Sequence, residues 1–192
     1  MTYQGEIGMP IPLPAVSHRQ TPRTSNVYLW RTRWVIEASP EKVWEALSQP
    51  EDWPGWWSYL ISVHQLSPGD VEGLGAVRRF LWRTRLPYRI GFDMRTLEVV
   101  PGRRLLAQAA GDVDGTGTWH LRPLATGTEV IYEWRFWLRR PWMRRLAPIA
   151  RPLFAWNHAG VMRAGGEGLG RYLGVPVFQP TEVDVDPEWV AR

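Results

Sequence analysis

An α+β fold, a curved antiparallel sheet covered by one long C-terminal helix, is predicted by three features of this sequence. The first is the segment 129–139, where Val130, Tyr132, Trp134, Phe136 and Leu138 fall on one face. Glu129, Glu133, Arg135 and Arg139 fall on the other, with Ile131 and Trp137 as exceptions, so the strand is wet on one side and aromatic on the other. The second is the arginine-rich, apolar-striped stretch within residues 142–173, the natural cover for that aromatic face. The third is the region 61–139, which reads as strands joined by short turns and therefore as an antiparallel meander. Large rings between a bent sheet and a single helix commonly leave a gap, and that gap suits an apolar molecule.

The elements follow in order. Residues 1–26 carry Pro10, Pro12, Pro14 and Pro22 among Gly, Ser and Thr without a period, and read as an extended arm. Residues 28–38 form a strand with Tyr28, Trp30, Thr32, Trp34 and Ile36 on one face. Ser39-Pro40-Glu41-Lys42 then starts a helix: Ser39 caps it, Pro40 supplies the first-turn φ and Glu41 complements the dipole. Val43, Ala46 and Leu47 point inward, and the helix stops near Pro50. A second short helical segment covers 52–60.

Six strands follow, near 61–66, 76–84, 88–99, 104–110, 117–123 and 128–139. Their breaks are turn chemistry: Pro68-Gly69-Asp70, Leu86-Pro87, Pro101-Gly102, Asp114-Gly115 and Thr126-Gly127. Pro148 and Pro152 are expected to break or kink the first part of the last segment, so that its regular helix begins near Pro152. Residues 175–192, acidic through Glu182, Asp184, Asp186 and Glu188, read as a loose tail. The domain itself spans 27–174.

At 192 residues, 44% hydrophobic and 22% charged, the chain has the composition of a soluble globular domain with one sizeable core. It has no apolar run long enough to span a bilayer, and its first residues lack a basic start followed by an apolar block, so a cytoplasmic location is expected. With no Cys, disulfides, thiolate nucleophiles and Cys-zinc sites are all excluded. The formal charge is +4, and Lys42 is the only Lys. Because Asp and Glu are mixed with Arg through much of the chain, no nucleic-acid partner is expected.

Three phrases carry a family likeness: Ser39-Pro40-Glu41-Lys42-Val43-Trp44, the Trp-rich Asp52-Trp53-Pro54-Gly55-Trp56-Trp57, and Gly69-Asp70 with Gly73-Leu74-Gly75-Ala76. With the order strand, two helices, six strands, long helix, they resemble the helix-grip (SRPBCC) superfamily. That group includes START lipid-transfer domains, Bet v 1-like plant proteins and polyketide cyclases. The resemblance covers about residues 27–174 and implies that the concave face of the sheet points at the last helix. Members range from carriers to enzymes, so it implies a cavity without naming a chemistry.

Strand alternation mapped onto that picture gives the inward residues. They are Arg78, Phe80 and Trp82 on one strand and Tyr88, Ile90, Phe92 and Met94 on the next. Trp119 and Leu121 come from a third, and Tyr132, Trp134 and Phe136 from the last. The helix contributes Leu153, Trp156 or Asn157, Gly160, Val161 and Ala164, its small residues leaving room. Arg78, Phe80, Trp82, Tyr88, Phe92, Trp119, Tyr132, Trp134, Asn157 and Val161 are accordingly the candidate ligand-binding residues. A solid aromatic core is the competing reading of the same rings.

Arg78 needs a partner if it faces inward: a ligand carboxylate or an internal acid such as Glu98. A one-residue register slip exchanges it with Arg79. Asn157 and His158, as neighbours in a helix, are expected to point to different sides. The function expected is binding of a hydrophobic or aromatic small molecule, with transport or sequestration as its purpose. The alternative is a polyketide cyclase or aromatase-like enzyme, using His158 as base and Arg78, Tyr132 and Asn157 as donors to a carbonyl substrate.

No cofactor is expected. His18, His64, His120 and His158 are scattered without a metal-binding spacing. Asp112-Val113-Asp114-Gly115 lacks the downstream Glu of a calcium loop and reads as a hairpin turn. Gly166-Glu167-Gly168-Leu169-Gly170 sits at the tail of a helix rather than after a strand, which removes a dinucleotide reading. Between Glu133 and Glu167 there is no acid. Arg139, Arg140, Arg144 and Arg145, with Trp142 and Leu146 interleaved, read either as a peripheral membrane contact or as a solvated face.

Overall fold

The computed structural model describes residues 27–139 and 141–179, the side chains of 142–144 and 146–150 excepted. The expected arm 1–26 and most of the acidic tail, 180–192, lie outside the described residues. The first strand, β1 (Val27–Ile36), leads into α1 (Pro40–Ser48), a 3-10 turn at Pro50–Asp52 and the short α2 (Trp53–Trp56). A meander follows: β2 (Leu60–Ser67), β3 (Val77–Arg83), β4 (Arg89–Val100), β5 (Arg104–Gly111), β6 (Val113–Leu124) and β7 (Gly127–Leu138). The long helix α3 (Pro141–Leu173) and a two-residue β8 (Val177–Phe178) complete it.

The sheet runs β2-β3-β4-β5-β6-β7-β1-β8, with antiparallel pairing throughout, and remains open. The fold is the helix-grip arrangement, with one strand more than the seven anticipated. That extra strand falls in the segment read as a loose tail. There, Phe178 pairs with Val35 and Val177 with Ile36, and Glu37 N–H donates to Pro176 O at 3.2 Å.

Local chemistry explains most boundaries. Gly69 takes φ 76°, and Asp70 Oδ1 accepts the backbone N–H of Glu72 at 3.0 Å and of Leu74 at 2.9 Å, closing the β2–β3 turn. Ser39 stands at the N-cap of α1 in an extended conformation, but its hydroxyl makes no capping hydrogen bond. The β5–β6 turn is centred on Gly111 and Asp112, not on Asp114-Gly115. Gly91 N–H donates to Asp112 Oδ2 at 2.9 Å and Gly111 N–H to Asp114 Oδ1 at 3.1 Å, so both acids serve the turn as acceptors. Gly115 is a strand residue whose missing side chain lets Arg135 O and Phe136 lie against it.

Helix α3 runs unbroken through Pro148 and Pro152, contrary to the break expected near Pro152. The two prolines are four residues apart and so remove hydrogen bonds from one face only. The remaining faces carry the helix on.

The core gathers where the second half of α3 meets α2. Trp34, Trp53, Trp56, Trp57 and Trp119 are all buried, and the rings of Trp57 and Trp82 meet edge to face at 5.0 Å. Trp53 Nε1 donates to Ala46 O at 3.0 Å, tying α2 to α1. Trp57 Nε1 donates to Val161 O at 2.8 Å, tying α2 to α3. A Cβ on Gly165 would overlap the Trp57 ring, and one on Gly168 would overlap the Trp56 carbonyl oxygen. The Gly-rich run near the end of α3 is thus a docking surface for two tryptophans.

Gly168→Ala should lower stability by about 1–3 kcal/mol despite the better helix propensity of Ala, because a backbone carbonyl cannot turn aside. Gly55→Ala, where no atom stands within 4 Å of the new methyl, should cost nothing. Urea midpoints of the two variants decide it, and equal midpoints would refute the close-approach account.

Candidate functional site

A cavity of about 170 Å³ opens between the sheet and α3. That is roughly ten times the ~10–15 Å³ that a single water needs. All ten candidate residues line it, from Arg78, Phe80 and Trp82 on β3 to Asn157 and Val161 on α3. The aromatic wall is continuous. Phe80 stacks with Phe92 at 6.1 Å, Phe92 meets Trp134 at 5.8 Å, Trp134 stacks with Tyr132 at 6.1 Å, and Tyr132 lies 4.2 Å from Trp119. Gly117 on β6 makes room for this wall, since a side chain there would strike the Tyr132 hydroxyl and the Trp134 ring.

Register settles the two arginines. Arg78 pairs with Met94 across the β3–β4 ladder, lines the cavity and is 16% exposed. Arg79 points outward, where its guanidinium makes two hydrogen bonds to Asp93, at 2.7 and 2.9 Å. The acid beside Arg78 is Glu51 of the 3-10 turn, with Nε–H donating to Oε1 at 2.6 Å. Glu98, the acid anticipated, is 3.5 Å from Arg104 instead. It lies past the last β3–β4 pair, Val77 with Arg95, and beyond the Thr96–Glu98 irregularity of β4.

The helix phase differs from expectation by about one residue, or 100°. Leu153 and Trp156 are exposed at 44% and 47%, and Gly160 faces away from the cavity. The inner stripe is instead Phe154, Asn157, His158, Val161 and Met162. A stripe can be more than 100° wide, so neighbouring Asn157 and His158 both reach the cavity rather than opposite sides. Gly160 does not enlarge the cavity. Arg85 lies across it, with its guanidinium 3.6 Å from the Trp156 ring centroid and its backbone N–H donating to Asn157 Oδ1 at 2.8 Å.

His158, the base of the alternative reading, lines the cavity too, and Trp30, Trp53, Trp57 and Phe154 do so without having been among the candidates. Each carried a signal. Trp30 shares the inward face of β1 with Tyr28, Trp53 and Trp57 are four residues apart, and Phe154 is one helical repeat before Val161. Of the arginines read as a membrane contact, Arg139 is bound to Asp114 at 3.1 Å and Arg145 is exposed. Arg140 and the side chain of Arg144 lie outside the described residues.

The polar groups of the cavity are few. Asn157 accepts from Arg85 through its oxygen, which leaves its NH₂ as a donor without a partner among the described residues. The Tyr132 hydroxyl makes no hydrogen bond among them either, and burial pushes its pKa up, so it stays protonated. His158 packs on Trp30 with ring centroids 4.3 Å apart, and burial pushes its pKa down to about 3. At neutral pH it is an uncharged imidazole, a hydrogen-bonding group and a weak base.

That depression has a consequence for stability. Between the ordinary value near 6.5 and about 3 the unfolded chain binds a proton at this position that the folded chain refuses. Stability should therefore fall as pH drops through that window. His158→Phe should flatten the decline between pH 7 and pH 4 relative to the parent, as read from urea midpoints at the two pH values. Parallel declines in both proteins would refute the assignment.

The comparisons with known proteins agree with this fold. The chain resembles, in fold, the Thermus thermophilus protein TTHA0849, at 17% identity and TM-score 0.64 over 75% of this chain and 95% of that one. The Zhui aromatase/cyclase from Streptomyces sp. R1128 aligns at 17% identity and TM-score 0.62 over 76% and 96%. Ginseng major latex-like protein 151 from Panax ginseng aligns at 6% identity and TM-score 0.59 over 76% and 97%. No curated protein matches the chain. The sequence model described as "Polyketide cyclase / dehydrase and lipid transport" matches residues 31–174, the whole of the meander and the closing helix, and the chain therefore belongs to that family.

Proposed function

We propose that the chain binds a hydrophobic, ring-bearing small molecule in the cavity between the sheet and α3, as a carrier or a sequestering protein. The single observation that carries this reading is the unbroken aromatic lining from Phe80 to Trp119 around open space. Burying a flat apolar guest there would remove its surface from water at about 25 cal/mol per Å². The few polar groups would orient it without greatly opposing its entry. Membership in a family described by cyclase and lipid-transport activities supports both a guest of this type and a carrier role.

A second reading, a cyclase acting on a bound carbonyl compound, is favoured by one feature: Tyr132, Asn157 and His158 all offer hydrogen-bonding groups to the same space. It would require a proton acceptor stronger than an imidazole whose pKa is about 3. Binding needs no such group and is the preferred reading.

The experiment is a cavity-filling substitution. Val161→Trp should weaken uptake of the neutral fluorescent probe N-phenyl-1-naphthylamine at least about tenfold. Ala155→Trp, on the exposed side of the same helix, should leave uptake unchanged. Uptake insensitive to Val161→Trp in a folded protein would place the probe elsewhere and end the proposal.

A further inference from the structure

We propose that Glu51 sets the charge preference of the cavity: by holding the Arg78 guanidinium in an ion pair, it makes the site take uncharged ligands over carboxylates and sulfonates. This rests on the binding reading above and names the ligand class within it. Among the described residues no Asp or Glu lines the cavity, and the cations that do are Arg78 and Arg83. Arg83 ends β3 and is exposed, so water screens its charge. Arg78 is different. It lies on the inward face of β3, two residues before Phe80, with 16% of its side chain exposed.

A guanidinium in that position without a partner would draw a ligand anion into an apolar setting, where a charge pair is strong. Glu51 Oε1 takes that place, at 2.6 Å from Nε. Backbone structure positions it. Pro50, buried and lining the cavity, begins the 3-10 turn, and Trp53 N–H donates to Pro50 O to close it. Glu51 therefore presents its carboxylate to Arg78 from a turn anchored by buried Pro50 and Trp53.

With the pair intact, an anionic ligand finds the inward cation already paired. It would lose its hydration and gain no free cation in return. An uncharged ligand loses much less. Removal of Glu51 frees the cation and reverses the balance.

A matched pair of probes tests this: N-phenyl-1-naphthylamine, and 8-anilino-1-naphthalenesulfonate, which adds one sulfonate to the same rings. The parent protein should bind the neutral probe at least about tenfold more tightly. Glu51→Gln should shrink that preference about tenfold or invert it, and the double variant Glu51→Gln/Arg78→Gln should restore it. A preference unchanged by Glu51→Gln, in a variant whose thermal unfolding matches the parent, overturns the inference and leaves the cavity reading standing. If neither probe is bound, or if Val161→Trp affects neither, both fall.

Discussion

The close contact between Trp57 and the glycine-bearing stretch of α3 is the constraint from which the shape of this molecule follows. Trp57 is 2% exposed, shares its ring contacts with Trp34, Trp53, Trp56 and Trp82, and donates its indole N–H to the Val161 carbonyl. That carbonyl is also the regular acceptor for the fourth residue onward, Gly165, so one oxygen uses both lone pairs. Only a residue without a side chain at 165 lets the ring come so near. One end of the helix is thereby pulled onto the sheet. Nearer its start, Phe154 packs with Tyr28, Trp134 and Phe136 and His158 packs on Trp30, and both Phe154 and His158 line the cavity.

Most of the strand order was legible in the sequence because a half-buried strand declares its inner face residue by residue. Arg78, Phe80 and Trp82 illustrate it: one alternation put all three inward, and the ladder with β4 does so too. Helix phase was less legible. A window holding Leu153, Phe154, Trp156 and Val161 has apolar residues on every side, and an exposed Trp reads like a buried one until the arginine that covers it is seen. The same blindness applied to the glycines. Gly160, Gly165 and Gly168 look alike in sequence, yet the first is covered by a long polar side chain and the others by indole and backbone. A turn beside alternating acids was placed too late in the chain because Asp112 and Asp114 both suit a turn, and here both act as its acceptors. Partners distant in sequence, such as Glu51 for Arg78, had no local signature.

The two faces of the sheet divide the polar work. On the convex side Glu129, 4% exposed, receives Arg33 at 2.6 Å and Arg122 at 2.7 Å, while Glu133 pairs with Arg31 and lies 3.7 Å from His120. A carboxylate that deep is tolerated only because two guanidinium groups flank it. Charge on this side is spent within the sheet and does not reach the cavity. The concave side keeps the Arg78–Glu51 ion pair and the exposed Arg83, and its other described groups are uncharged.

The state of His158 bears most directly on what that guest can undergo. Proton transfer is efficient when the acceptor's pKa lies near the working pH. An imidazole packed on Trp30, in a lining that also holds a protonated phenol and an amide, is far below that range. A nearby carboxylate would raise it, as Glu133 does in opposing the burial of His120. Among the described residues no acid lines the cavity, and Glu51 is engaged with Arg78. The lining thus supplies hydrogen bonds to hold a molecule in place and lacks the electrostatic support that would make its histidine a base. Under the binding reading proposed above, a pocket with an unsupported imidazole would hold its ligand rather than transform it.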